Sequence, residues 1–195
     1  MGNKQYLYLI IVAILLSYSG AFAQQKGVEK RAYRFINLAF KEILSPNKRL
    51  ILEVLPKHSY SYDLDSMLNF EFLQEAQFSF SESPPKIKQL LSDEDLQYMK
   101  QQLTNWSAKK SLDKDKLKLI REQLVPKQTK PITPEEYKLA FYGVYPPLFN
   151  VKGDYCLLYI ENYCGIECGG GQLNLYKKQK DGTWKVVYIV PTWVS

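Results

Sequence analysis

The chain is poor in the residues on which most hydrolytic and redox chemistry depends. Among 195 residues it has one histidine and three cysteines. An imidazole-activated serine or cysteine nucleophile would have to use His58. That residue sits in Pro56-Lys57-His58-Ser59, a turn-like setting with no nucleophile elbow around it. The cysteines, Cys156, Cys164 and Cys168, lack the two-residue spacing of a thioredoxin-type redox pair. Arginine is scarce too: Arg31, Arg34, Arg49 and Arg121 are outnumbered by lysines interleaved with acids, as in Lys109-Lys110-Ser111-Leu112-Asp113-Lys114-Asp115-Lys116. Bidentate recognition of phosphates and bases favours Arg forks over dispersed ammonium groups. The net charge of +6 therefore reads as a solvated surface, and no nucleic acid partner is expected. Gly169-Gly170-Gly171 precedes a strand-like run and no Gly-Lys-Ser/Thr sequence occurs, which argues against a phosphate loop. The triplet reads instead as backbone freedom beside a bulge or a disulfide.

The one long hydrophobic run is N-terminal. Lys4 precedes an almost continuously apolar Tyr6 to Tyr18, and Ala21-Phe22-Ala23 has the small-x-small form that signal peptidase accepts. Ser17, Ser19 and Gly20 interrupt the run short of the roughly 20 residues a bilayer span needs. Residues 1–23 are thus expected to be a signal peptide cut after Ala23, leaving a secreted or periplasmic protein with no stable membrane span. Gln24 rather than Cys follows the site, so a lipid-anchored start is not expected. Residues 24–195 have the length of a single domain.

Hydrophobic spacing then predicts the elements. Val28, Ala32, Phe35, Ile36, Ala39, Phe40 and Ile43 recur every three or four residues, predicting a helix over about 27–44 that ends at Pro46-Asn47. Arg49 to Leu55 reads as a short strand. Residues 63–80 fit helix and strand alike, and Pro84-Pro85 marks an extended connector. Ser92-Asp93-Glu94-Asp95 predicts a helix start, with Ser92 as the cap and three acids favoured by the helix dipole. A further helix is expected over 113–124, and Thr133-Pro134-Glu135-Glu136 has the form of a capping box. From about Phe141 the pattern turns to strands: 142–145, 155–163, 171–177 and 184–193, with Asp181-Gly182 as a tight hairpin turn. The 155–163 run is apolar on both faces, as in a covered central strand. The expected fold class is α+β, with N-terminal helices packed on a C-terminal antiparallel β-meander of three to four strands. Residues 24–131 form the mainly helical half and 132–195 the mainly β half.

Tyr145-Pro146-Pro147-Leu148-Phe149-Asn150, Tyr163-Cys164-Gly165-Ile166-Glu167-Cys168-Gly169, Gly182-Thr183-Trp184-Lys185-Val186-Val187 and Trp193-Val194-Ser195 together resemble uncharacterised secreted bacterial proteins with a C-terminal meander of this kind. The resemblance covers about the last 50 residues and implies location and fold. It implies no activity and no catalytic residues.

The cysteines lie in a compartment where disulfides form by default. On one extended strand, Cys156 and Cys164 stand about 26 Å apart at roughly 3.3 Å per residue, too far to bond. Cys164 and Cys168 flank a strand connection and are expected to form the disulfide, a small-loop staple contributing about 2 kcal/mol. Cys156 is then a buried free thiol. The same distance disfavours zinc on the three cysteines and His58, and no metal or other cofactor is expected. Two-carboxylate catalysis would have Asp63 with Asp65, or Glu161 with Glu167, as its candidates. Tyr155, Tyr159 and Tyr163 alternate onto one face of their strand, and Trp184 and Tyr188 are expected to share a face of the last one. If exposed, these rings are candidates to stack on a sugar or grip a partner; the alternative is ordinary core. The expected function is a non-catalytic binding or interaction module of the cell envelope whose partner is an envelope protein or glycan. An envelope hydrolase built on acidic residues is the alternative.

Overall fold

Three eleven-residue strands, β5 (Tyr155–Gly165), β6 (Cys168–Lys178) and β7 (Trp184–Val194), form the antiparallel body of a sheet. The computed structural model describes residues 27–39, 49–52, 64–75, 86–107, 112–118, 124–125, 141–165 and 168–194. The expected signal segment, the residues around His58 and the Thr133 capping box lie outside the described residues. β3 (Phe141–Val144) and β4 (Leu148–Phe149) pair in succession with β5, on either side of Pro146-Pro147. The fold class is α+β, as the sequence predicts. The sheet also extends beyond the meander. β1 (Arg49–Leu52) runs parallel to β3, and β2 (Leu124–Val125) runs parallel to β1, giving the order β2-β1-β3-β5-β6-β7.

β5 is central, and the sequence shows why. Cys156 through Glu161 are all buried, odd and even positions alike, so both faces are covered. On the even face lies helix α1 (27–39), whose Phe35 meets Phe149, Tyr176 and Trp184 edge-on at 6.0, 5.1 and 5.1 Å. Residues 64–75 were ambiguous from sequence. They form two short helices, α2 (Leu64–Met67) and α3 (Phe70–Glu75). From the odd face, the Tyr188 hydroxyl donates to the Leu73 carbonyl at 3.0 Å, tying α3 to β7.

Helix α5 (Asp93–Ser107) starts as predicted. Ser92 Oγ accepts the Asp95 N–H, while an Asp95 carboxylate oxygen accepts both the N–H and the hydroxyl of Ser92. Partial burial pushes the Asp95 carboxyl upward, but donation from Ser92 and from the Val151 N–H, with Lys152 nearby, holds it below its usual value. Two turns further along, Gln102 acts as a substitute strand. Its Nε2 donates to the Phe149 carbonyl at 2.6 Å and its Oε1 accepts the Phe149 N–H at 3.0 Å, docking α5 on β4.

Two expectations are corrected. In place of the expected helix over 113–124, the described residues hold a single 3-10 turn (Lys114–Lys116) and then β2 from Leu124, with 119–123 outside the described residues. The reason is tertiary: Asn37 of α1 accepts the Lys118 N–H and donates to the Lys116 carbonyl, taking groups that a helix would pair internally. Tyr33 holds the Asp113 N–H in the same way at 2.7 Å. Trp184 and Tyr188, in turn, do not share a face. A register shift lets Tyr176 pair with Val186 and Leu175 with Tyr188, so Val187 is an extra residue and side chains after it flip. Trp184 faces α1, and Tyr188 faces α3.

Candidate functional site

The sheet brings one chemically capable group into its interior, the Glu161 carboxylate on β5. It is 4 % exposed and accepts a hydroxyl at each oxygen: Tyr145 donates to Oε2 at 3.0 Å and Tyr159 to Oε1 at 2.9 Å. Gly143, directly opposite on β3, leaves the room, since a Cβ there would lie 3.4 Å from Glu161 Oε2. Tyr159 in turn accepts from Trp193 Nε1 at 3.1 Å and from Thr192 Oγ1 at 3.4 Å. A second bulge, between Gly171 and Gln172, sets Trp193 opposite Gly171 on this face. Burial first, and then the neighbouring Glu161 charge, pushes the Tyr159 hydroxyl up to about 12. It therefore stays protonated at neutral pH and serves as a donor to the carboxylate. Tyr145 and Tyr159 are both at most 2 % exposed, so the hydroxyls that hold the carboxylate are themselves withdrawn from solvent.

The glycine triplet belongs to this cluster. A Cβ at Gly171 would overlap Trp193 Nε1 and Thr192 Oγ1, and one at Gly169 would lie 3.0 Å from the Trp193 ring. None of the three glycines has positive φ. Gly171 adjoins a bulge, as the sequence suggested, and Gly169 and Gly171 also leave the room that the Trp193 indole occupies.

Elsewhere the expected residues disperse. Tyr188 is buried, Trp184 packs half-buried against Phe35 and Phe149, and Tyr155 lies half-buried beneath Lys177, whose Nζ is 5.5 Å from the ring centroid. The Tyr163 backbone pairs with Gly169. Cys156 is a fully buried free thiol, pushed well above its ordinary value by burial although Arg31 pulls the other way. Asp65 is exposed, 4.0 Å from Lys100, while Asp63 and Glu167 lie outside the described residues. Among the described residues, no group of three His, Cys, Asp or Glu side chains is placed to hold a metal, and no helix is long and apolar enough to cross a membrane.

Among the described residues, an accessible feature is a groove between α3 and the short helix α4 (Ile87–Leu90). It encloses about 520 Å³ and is lined by Phe70, Glu71, Gln74, Lys86, Ile87 and Lys88, a volume within the usual range of ligand sites. Gln74 Oε1 accepts the Ile87 N–H at 3.1 Å and so braces the two helices across it. Lys88 sits over the Phe70 ring at 5.2 Å. One aromatic wall, one carboxylate and two ammonium groups suit it to hold a polar ligand with an apolar face. The sequence signal for this groove was weak because its helices have six and four residues, too short for periodicity to show. No protein-family model, no curated protein and no solved structure matches this chain.

Proposed function

We propose that the chain is an exported, non-catalytic binding module of the cell envelope, engaging an envelope protein or glycan through the α3–α4 groove. The observation that carries this reading is the contrast between the two polar features. The buried carboxylate is occupied by tyrosine hydroxyls, while the open groove presents Phe70, Glu71 and Lys88 to solvent-borne partners. Export is supported by the Lys4, Tyr6 to Tyr18 and Ala21-Phe22-Ala23 pattern, and by the C-terminal resemblance to secreted bacterial proteins. A Cys164–Cys168 disulfide fits an oxidising compartment. It is supported by the disulfide-bonded state of Cys168, by the free thiol of Cys156, and by the ladder that sets Cys168 opposite Gly165. Non-reducing mass spectrometry of secreted protein should return a linked peptide with Cys156 alkylated only after denaturation.

The test of binding is a pull-down from envelope extract with residues 24–195 as bait, compared with Phe70→Ala and Lys88→Glu. Loss of a captured species in both variants, with unchanged circular dichroism, is the expected result. Capture that is indifferent to both substitutions would move the binding surface elsewhere. The hydrolase alternative centres on Glu161, the one buried carboxylate among the described residues. Turnover of an envelope glycan that disappears in Glu161→Gln would establish it over the binding reading.

A further inference from the structure

The β6–β7 hairpin carries like charges where strand pairing disfavours them. Lys177 and Lys185 are directly opposite in the ladder, on one face of the sheet, and both are exposed. Like charges in register cost stability. Their row continues only to Tyr155, which has no charge to offset them. Lys178 and Lys180 add two more exposed ammonium groups, and against these four cations the hairpin sets one acid, the exposed Asp181, which accepts the Thr183 N–H and hydroxyl and lies near Lys185. None of these four lysines forms an ion pair among the described residues. At the adjacent β4–β5 turn the charges are balanced, because Lys152 lies near Asp95 at the acidic start of α5. The hairpin thus keeps an excess of positive charge, four lysines against one acid.

Its geometry selects among anionic partners. Lys177 and Lys185 occupy one face, Lys178 the other, and Lys180 the turn, so cations lie on both faces and at the tip of the hairpin. Val186, 42 % exposed, stands beside them. A hairpin end with charge on both faces and an exposed apolar residue at its margin complements an extended anionic plane. We infer that the β6–β7 hairpin is an electrostatic docking surface for the anionic headgroups of a lipid bilayer, separate from the α3–α4 groove and independent of its role.

Sedimentation of residues 24–195 with vesicles tests this, using neutral phosphatidylcholine alone or mixed with anionic phosphatidylglycerol. Binding is expected only to the anionic vesicles and should fall steeply with added salt. The variant Lys177→Gln/Lys178→Gln/Lys180→Gln/Lys185→Gln should weaken it by at least about tenfold. A control that loses the same net charge elsewhere, Lys30→Gln/Arg34→Gln/Lys100→Gln/Lys118→Gln, should retain it. Circular dichroism and the denaturation midpoint verify folding of both, and relief of the Lys177–Lys185 repulsion predicts that the hairpin variant is at least as stable as the parent. Equal binding to neutral vesicles, or equal losses in the two variants, would overturn the assignment.

Discussion

Glu161 shows how much one residue's meaning depends on its neighbours. In the sequence it is one acid among 20 acidic residues; in the fold it is a buried acceptor for Tyr145 and Tyr159. Removing one partner strands a polar group, which costs about 1–3 kcal/mol, so Tyr145→Phe and Tyr159→Phe should each destabilise by that amount in urea titrations. Tyr159→Phe should cost more, because it also removes the hydroxyl that accepts from Trp193 Nε1 and Thr192 Oγ1. The elevated Tyr159 hydroxyl adds a pH signature. A tyrosine held at about 12 when folded and near 10 when unfolded keeps its proton better in the native state. Its contribution is complete below pH 10 and is lost as pH rises from about 10 toward 12. The parent's denaturation midpoint should therefore drop more steeply across that window than that of Tyr159→Phe. Tyr176, pushed to about 12 mainly by burial, should behave alike, and a double variant should flatten the profile further. The sequence marked Tyr159 only as a ring for one strand face, and the second hydroxyl on the carboxylate, from Tyr145, arrives only when the chain around β3 lies beside β5.

Among the elements, those with local causes were legible and those with tertiary causes were not. The α5 start was readable because Ser92 and Asp95 satisfy each other within one turn. Ser92→Ala should cost about 1 kcal/mol. Asp95, held low, stabilises the fold above its unfolded value near 3.9, and that contribution should vanish as pH falls through its lower folded value, visible as a shallower acid transition in Asp95→Asn. The 3-10 turn at Lys114–Lys116 was not readable, because Asn37 reaches it from 79 residues away. The β7 bulges were likewise hidden, and with them the split of Trp184 from Tyr188. The glycine triplet offers the cleanest test of a tertiary cause. Gly171→Ala should destabilise by about 1–3 kcal/mol through overlap with Trp193. Most of that penalty should disappear in a Trp193→Ala background, a coupling measurable in a double-mutant cycle. A penalty unchanged by Trp193→Ala would mean that backbone freedom, not the indole, fixes this glycine.

At the scale of the whole molecule, one buried cluster joins α1, α2, α3, α5 and the sheet, so the free thiol of Cys156 is a reporter of global opening. Its reaction with an alkylating reagent should be undetectable under native conditions and should rise with urea along the same curve as tyrosine fluorescence. Earlier labelling would indicate that α1 opens from the even face by itself. What the sequence determined by itself was what short-range patterning controls: the apolar N-terminal run, the predicted helix start at Ser92, the Asp181-Gly182 hairpin, and a central strand apolar at consecutive positions. Each depends on the spacing of side chains or on a cap within one turn, and such forces act before distant segments meet. Tertiary structure alone decided that β1 and β2 extend the meander in parallel, that Gln102 completes β4, and that Trp193 rests on the glycine triplet above the Glu161 cluster. It also decided that Lys177 and Lys185 stand opposite each other. The Gln102 contact follows from docking of α5 on β4 and the others from strand register, both settled only when residues far apart in the chain meet and bury a shared face.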